Sequence, residues 1–165
     1  MAIGSHQSAR AQTIEWLTPP EIVQELGPFD LDPCCPANRP WDTAKAHYSA
    51  DGLLKPWDGR VWLNPPYGQE TWKWLKKLAQ HGNGIAMVFA RTETKMFFKY
   101  VWPTASAVLF IEGRLHFYRL DGLRAKGNSG GPSVLIAYGD YNAIRLKKSK
   151  ISGKFVDLQP EKHLR

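Results

Sequence analysis

The chain has 165 residues, of which 43% are hydrophobic, and it carries a formal net charge of +7. This length suits one compact domain with one core and leaves no room for a second large domain. No apolar run approaches membrane-spanning length, so we expect a soluble, intracellular protein with no membrane partner. The basic charge indicates an acidic partner, with nucleic acid as the first candidate, although an ordinary basic protein could have the same balance.

The only two cysteines, Cys34 and Cys35, are adjacent in the chain. Neighbouring cysteines do not form an ordinary unstrained disulfide, and this pair lacks the spacing of zinc ligands. The histidines show no paired spacing either. We therefore expect two small buried thiols in a reducing compartment and no metal site.

The first part of the chain alternates helix and strand signals. A polar segment at 1–13 predicts a loose arm, and Thr18 is a suitable N-cap for a helix that ends at Gly27-Pro28. Further along, the pattern predicts a strand at 29–33, an ordered loop at 34–59, a strand at 60–63, a helix at 69–81, a buried strand at 84–90, a helix at 94–102 and a buried strand at 105–111.

The second part predicts a half-exposed strand at 113–118, a mobile glycine-rich basic loop at 119–132 and a strand at 133–138, with a possible edge strand at 155–158. Strands alternating with helices favour an α/β fold with a mainly parallel sheet. We expect a flexible N-terminal arm at 1–13, one domain at 14–140 and a basic C-terminal extension at 141–165 that could pack on the same domain.

The most informative segment is Asn64-Pro65-Pro66-Tyr67, which follows the apolar run 61–63. Two consecutive prolines make this turn rigid and remove two backbone donors. The Asn64 side-chain oxygen and the Pro65 carbonyl could accept both hydrogens of a planar amino group, while the Tyr67 ring covers its face. A rigid turn with a packed tyrosine would be the purely structural alternative.

Five segments occur in a defined order: Trp16-Leu17-Thr18-Pro19, Phe29-Asp30-Leu31-Asp32-Pro33, Asp51-Gly52-Leu53, Asn64-Pro65-Pro66-Tyr67 and Gly113-Arg114-Leu115-His116-Phe117. From residue 16 to residue 138, this ordered set resembles the small phage-type (Dam-like) DNA N6-adenine methyltransferases. The resemblance implies S-adenosylmethionine as cofactor, double-stranded DNA as partner and a bacterial cytoplasm as location. It also implies a compact Rossmann-like class I methyltransferase fold without a separate target-recognition domain.

The resemblance also implies roles for individual residues. Asn64 and the Pro65 carbonyl would bind the exocyclic amine of a flipped adenine, with Pro66 stiffening the turn and Tyr67 stacking on the base. The cofactor-binding positions implied are Thr18 and Pro19 at its methionine end, Asp51 at its adenine, and Asp30, Asp32 and Pro33 at its ribose or methionine part. The glycine-rich cofactor loop of larger relatives is absent from this chain.

A second aromatic should sandwich the flipped base, and Phe117 is the first candidate, with His116 next. Phe117 could equally be a core residue of its strand. The candidate DNA contacts are Arg91, Arg114, Arg119, Arg124 and Lys126. We expect the loops at 34–48 and 119–132 to replace a recognition domain. The lysines at 73, 76 and 77 are interpreted as a solvated helix face.

Alternatives to DNA adenine remain open at this point, because any planar amino group suits the same turn. RNA adenine, cytosine N4 and a protein glutamine amide are the other candidate acceptors. The missing glycine-rich loop also allows a DNA-binding relative that has lost catalysis. The sequence leaves the oligomeric state at a monomer or a weak dimer.

Overall fold

The computed structural model describes residues 16–163, so the predicted arm at 1–13 lies outside the described residues. The helices are α1 Pro20–Leu26, α2 Thr71–His81, α3 Lys95–Tyr100, α4 Asp140–Lys148 and α5 Pro160–His163. The strands are β1 Leu31–Asp32, β2 Ala46–His47, β3 Val61–Leu63, β4 Gly84–Phe89, β5 Ala107–Ile111, β6 Ser133–Tyr138 and β7 Gly153–Asp157.

These strands form one seven-stranded sheet in the order β2-β1-β3-β4-β6-β5-β7. Strands β1 to β4 are parallel to one another, β6 is antiparallel to both β4 and β5, and β7 is antiparallel to β5. Strands β1 to β5 therefore run in one direction, and β6 and β7 run in the other. This confirms the predicted α/β class, with a mainly parallel, Rossmann-like sheet.

Both faces of the sheet are buried, which explains the continuous apolar runs of β4 and β6. Successive residues of a strand point to opposite faces. Leu63 of β3 accordingly packs with Leu75 of α2 in one core, and α3 belongs to the same core. Its neighbour Trp62 packs with Leu26 of α1 in the other core, which α4 completes.

The predicted strand at 113–118 is wrong, because only Tyr118 forms isolated bridges, one to Leu17 and one to Arg124. The alternation that suggested a strand has another cause: Phe117 is buried and Leu115 packs against the same core from an irregular segment. The predicted N-cap role of Thr18 is also wrong. Helix α1 begins at Pro20 with Pro19 as its N-cap, and no side chain caps it.

The basic segment after residue 140 contains one element that was predicted and one that was missed. The expected edge strand is present as β7, which pairs with β5. Helix α4 was not predicted, because it is rich in charged residues and its buried face consists only of Asn142, Ala143 and Leu146, which gives a weak apolar pattern. This helix packs on the face of the sheet that also holds α1.

Candidate active site

A cavity of about 620 Å³ lies at the carboxyl ends of β1 and β3. Its wall comes mainly from residues 16–18, 32–36, 48–52 and 64–67. Strand β1 leads to β2 on one side, and β3 leads to β4 on the other, so the cavity lies where the strand order reverses. This is the position at which open α/β sheets bind their ligands.

The proline turn after β3 is fixed by hydrogen bonds on both sides. The Cys34 thiol donates to the Asn64 main-chain oxygen at 3.0 Å, and the Thr71 hydroxyl donates to the Pro66 carbonyl at 2.6 Å. No described residue donates to the Pro65 carbonyl between them. The turn therefore presents one backbone acceptor that the described part of the protein does not use, next to the half-buried Asn64 side chain.

Tyr67 is held on the cavity wall by two contacts. Its hydroxyl donates to Asn64 Oδ1 at 3.3 Å, and its ring stacks on Phe89 with centroids 4.5 Å apart and planes at 19°. Burial raises the pKa of Tyr67, so its hydroxyl stays protonated. Phe89 was missed from the sequence, although an aromatic residue that ends a strand next to β3 could have indicated it.

Asp32 ends β1 and is a buried carboxyl on the cavity wall. Its oxygens accept hydrogen bonds from the Thr43 hydroxyl and from the Cys34 main-chain N–H, the latter at 3.1 Å. Burial raises its pKa to about 6, against the lowering effect of these bonds. Asp32 thus titrates near neutrality within the cavity wall.

Thr18 is the second buried polar residue of this wall. Its hydroxyl has no hydrogen-bond partner among residues 16–163, although buried hydroxyls normally have one. The adjacent residue, Leu17, pairs through both backbone groups with Tyr118, at 2.8 and 2.9 Å. The segment is therefore anchored, and the buried Thr18 hydroxyl is left without a hydrogen-bond partner among the described residues.

The turn at Asp51 is shaped by its surroundings. Asp51 has a φ of 57°, and a Cβ added to Gly52 would lie 1.9 Å from the Pro33 carbonyl oxygen, so only glycine fits there. The Trp57 indole donates to the Gly52 carbonyl at 2.8 Å. The exposed Asp51 side chain is thus presented at the cavity by a tightly packed backbone.

Lys77 of α2 holds the same turn from below. Its ammonium donates to the carbonyls of Leu53 at 2.8 Å and Gly52 at 3.4 Å, and also to that of Lys55. The nitrogen also lies 5.0 Å from the centre of the Trp57 ring. The interpretation of Lys77 as part of a solvated face is therefore wrong, whereas Lys73 and Lys76 are exposed as expected.

The structure brings most of the predicted substrate and cofactor residues together, with exceptions. Asn64, Pro65, Pro66, Tyr67, Thr18, Asp32, Pro33 and Asp51 all line the cavity. Asp30 does not: its carboxylate accepts from the Arg60 main-chain N–H at 2.7 Å and lies 3.5 Å from the Lys45 ammonium. Pro19 is the buried N-cap of α1 and does not line the cavity either.

The predicted second aromatic lies elsewhere. Phe117 is 6% exposed and packs in the core with α1 and α4, which corrects its assignment to base stacking. His116 is half-buried, and its Nδ1 lies 3.4 Å from the Ala125 carbonyl oxygen. The cations at 91, 114, 119, 124 and 126 are all exposed, outside the cavity.

Two kinds of feature are absent from the described residues. None of the helices between residues 16 and 163 is long and apolar enough to cross a membrane. The same residues contain no group of three or more histidine, cysteine or acidic side chains that could hold a metal ion.

A Rossmann-like sheet with an Asn-Pro-Pro-Tyr turn at its reversal point is the arrangement expected of an amino-methyltransferase. A family model described as DNA N-6-adenine-methyltransferase (Dam) matches residues 5–154, and the chain belongs to this family. It is also similar to the DNA N-6-adenine-methyltransferase of Escherichia phage T1, with 31% identity over 110 residues. That match covers 61% of this chain and 45% of the phage protein. No solved structure matches the chain significantly.

Proposed function

We propose that this protein transfers a methyl group from S-adenosylmethionine to the exocyclic N6 of an adenine that has rotated out of double-stranded DNA. The observation that carries the proposal is the proline turn: two acceptors, Asn64 Oδ1 and the Pro65 carbonyl, stand beside an aromatic ring on a cavity wall. The same cavity has a separate polar wall, at Thr18 and Asp32, that suits a cofactor.

The turn addresses the main difficulty of this reaction, which is the weak nucleophilicity of N6. The lone pair of that nitrogen is delocalised into the purine ring. Acceptors on its two hydrogens favour a pyramidal nitrogen whose lone pair can attack the methyl carbon as the carbon–sulfur bond breaks. The nitrogen then loses a proton to water. Neutral Asn64 is sufficient, because no base has to act before the attack, and the remaining acceleration comes from positioning.

The cavity residues fit S-adenosylmethionine. The volume of about 620 Å³ falls within the roughly 300–1,000 Å³ of small-molecule sites. The unpartnered Thr18 hydroxyl can bond the methionine part, the Asp32 carboxyl can accept from hydroxyl or ammonium groups, and Asp51 can accept from an adenine amine. When bound there, the cofactor supplies a methyl group on a positively charged sulfur.

We propose that DNA contacts the loops at 34–48 and 119–132, which lie beside the cavity. They pack on each other: the rings of Trp41 and Tyr118 meet edge to face at 5.5 Å, and Gly122 lies against Pro40. Arg124 and Lys126 are exposed on the second loop and can reach phosphates. Replacing both with alanine should weaken DNA binding and lower the slope of affinity against salt by about 2.

We further propose a monomer or weak dimer, acting in a bacterial cytoplasm on behalf of a phage or prophage. Cys34 and Cys35 are not joined in a disulfide, which is in keeping with such a reducing compartment.

The test is incubation with labelled S-adenosylmethionine and unmethylated duplex DNA, followed by nucleoside analysis. We expect N6-methyl-2′-deoxyadenosine from the wild type and a loss of about 10²–10³ in turnover for Asn64→Ala, by analogy with other positioned polar groups. Cofactor affinity should be nearly unchanged. Gln80→Ala, on the exposed side of α2, is the matched control and should behave as wild type.

Other products would overturn the proposal in defined ways. Methylation of cytosine, RNA or protein glutamine without methylation of DNA adenine would show a different substrate. The proposed role of the proline turn would then still stand. Intact DNA binding without any cofactor binding, measured by calorimetry, would indicate a relative that has lost catalysis. Full turnover by Asn64→Ala would remove the role given to the turn.

A further inference from the structure

The segment 118–124 is a preformed hairpin rather than the mobile loop expected from its composition. Tyr118 bridges Arg124, the Arg119 N–H donates to the Leu123 carbonyl at 2.9 Å, and the Gly122 N–H donates to the Arg119 carbonyl at 2.9 Å. The Leu123 N–H also donates to the Asp121 carboxylate at 2.9 Å. The tip therefore has a defined shape before any partner binds.

This rigid tip exposes apolar side chains. Leu123 is 62% exposed and Leu120 is 38% exposed, although neither is needed to close the turn. The neighbouring charges are Arg124 and Lys126, with Arg119 in an ion pair with Asp121 at 2.9 Å. Exposed leucines between cations fit a partner that has a negative surface and an apolar interior, as stacked DNA does.

The position of the tip is equally informative. Leu120 lines the cavity that contains the proline turn, and it also lines an adjacent open groove of about 530 Å³. Trp41 and Arg39 line both spaces as well, so the hairpin tip stands where the two meet. A base that rotates into the cavity from the side of this groove would pass the hairpin tip.

We propose that Leu120 and Leu123 form an apolar wedge, which enters the gap left in the duplex when the target adenine rotates into the cavity. This inference rests on the proposed function and assigns the hairpin tip a part in it. A rotated base leaves its former neighbours unstacked, at a cost of a few kcal/mol. Apolar side chains in the gap restore contact with those neighbours and so favour the rotated state.

The test compares two duplexes, one with the target adenine paired to thymine and one with it opposite an abasic site. The double variant Leu120→Ala, Leu123→Ala should lose about tenfold or more in methylation of the paired substrate. It should recover most of the wild-type rate on the abasic substrate, because the base there is already unpaired. Ile144→Ala, an exposed aliphatic residue on α4, is the matched control and should lose nothing on either duplex.

Two comparisons keep the outcomes apart. Arg124→Ala should weaken binding of both duplexes alike, since a phosphate contact does not depend on pairing. With 2-aminopurine at the target position, the wild type should give a larger rise in fluorescence than the double variant at saturating protein.

An equal loss on both duplexes, or no loss on the paired one, would overturn the wedge while leaving the methyltransferase proposal in place. A wild-type protein that methylates neither duplex would overturn the proposed function and the wedge with it. Circular dichroism and cofactor binding of the double variant should match the wild type. A misfolded variant can be replaced by Leu123→Ser alone, for which the same two-duplex criterion holds.

Discussion

The polar groups at the two ends of the central sheet differ in whether they have hydrogen-bond partners within the protein. At the amino ends of β3 and β4, Arg60 donates to Asn142 Oδ1 at 2.6 Å and to the Pro28 carbonyl at 2.9 Å, and Asn142 donates to Asn83 at 2.9 Å. At the carboxyl ends, Thr18 and Pro65 line the cavity, and the buried Thr18 hydroxyl has no hydrogen-bond partner among residues 16–163. The first arrangement stabilises the fold, and the second leaves bonding capacity for ligands.

Arg60→Leu should produce the largest effect and should change stability alone. The substitution leaves the buried Asn142 side chain and the Pro28 carbonyl without their donor and removes a cation from the faces of Phe29 and Tyr141. We expect the free energy of unfolding in urea to fall by about 2–6 kcal/mol, because two buried acceptors each lose their donor at a cost of about 1–3 kcal/mol. Cofactor affinity of the folded fraction should be unchanged. Lys148→Leu, at an exposed position of α4, should cost under about 0.5 kcal/mol. A tenfold weaker cofactor affinity in Arg60→Leu would contradict the separation of the two ends.

Lys77→Met tests whether a residue outside the cavity positions the Asp51 turn at the carboxyl end of the sheet. Loss of the ammonium frees the carbonyls of residues 52–55, so the Asp51 turn should loosen and the KM for cofactor should rise by about tenfold, as for a lost charged hydrogen bond of about 1.5 kcal/mol. The turnover number at saturating cofactor should hold. Lys76→Met, at the neighbouring exposed position, is the control, and Lys77→Arg should restore part of the affinity. A fall in turnover with unchanged KM would exclude this positioning role.

The raised pKa of Asp32 predicts that the stability of the free protein and its affinity for cofactor change in opposite directions with pH. Its usual pKa of 3.8 is raised to about 6 in the fold, so the folded state holds its proton more tightly than the unfolded state. Stability should therefore fall as pH rises from about 4 to about 6, by on the order of 1–3 kcal/mol from this group. Cofactor affinity should rise over the same range if the carboxylate accepts its bonds. Asp32→Asn should remove both contributions, and a variant that keeps both would show that another group titrates.

Thr18→Val should give the smallest and most selective effect. Its hydroxyl has no partner in the described part of the chain, so the methyl replacement should leave the free energy of unfolding unchanged or slightly higher. Calorimetry should show cofactor affinity about fivefold lower, which corresponds to about 1 kcal/mol. Thr71→Val is the contrasting variant, because its hydroxyl bonds the Pro66 carbonyl and the Gly68 N–H, and it should lose stability. A loss of stability in Thr18→Val would mean that the hydroxyl has a structural partner.

Local sequence signals were sufficient to predict an element where the local residue pattern is compatible with a single structure. The strands β4 and β6 followed from apolar runs that need cover on both faces, and the proline turn followed from two fixed φ angles after a strand. The signals failed where the deciding contact is distant in the chain. Phe117 alternates like a strand residue but is buried by α1 and α4, and Lys77 resembles a solvated lysine until the loop at 52–55 packs over it.

The role of Asp30 shows the same limit. The resemblance implied cofactor roles for both Asp30 and Asp32, and strand alternation alone would put two residues at this spacing on the same side. In the structure β1 contains only Leu31–Asp32, so Asp30 precedes the strand and is not bound by its alternation. Asp32 lines the cavity, and Asp30 bonds the backbone at Arg60 instead. Pattern alone could not decide which of the two faces the ligand.

The anchoring of the hairpin to residue 17 ties together the two halves of the proposed reaction. Leu17 shares both backbone hydrogen bonds with Tyr118, while its neighbour Thr18 belongs to the wall proposed for the cofactor. A small molecule that stiffens residues 16–18 also stiffens the base of the hairpin that would grip the duplex. Thermodynamic reciprocity then requires that DNA strengthen cofactor binding by the same factor, so the two substrates should bind cooperatively although they share no atom.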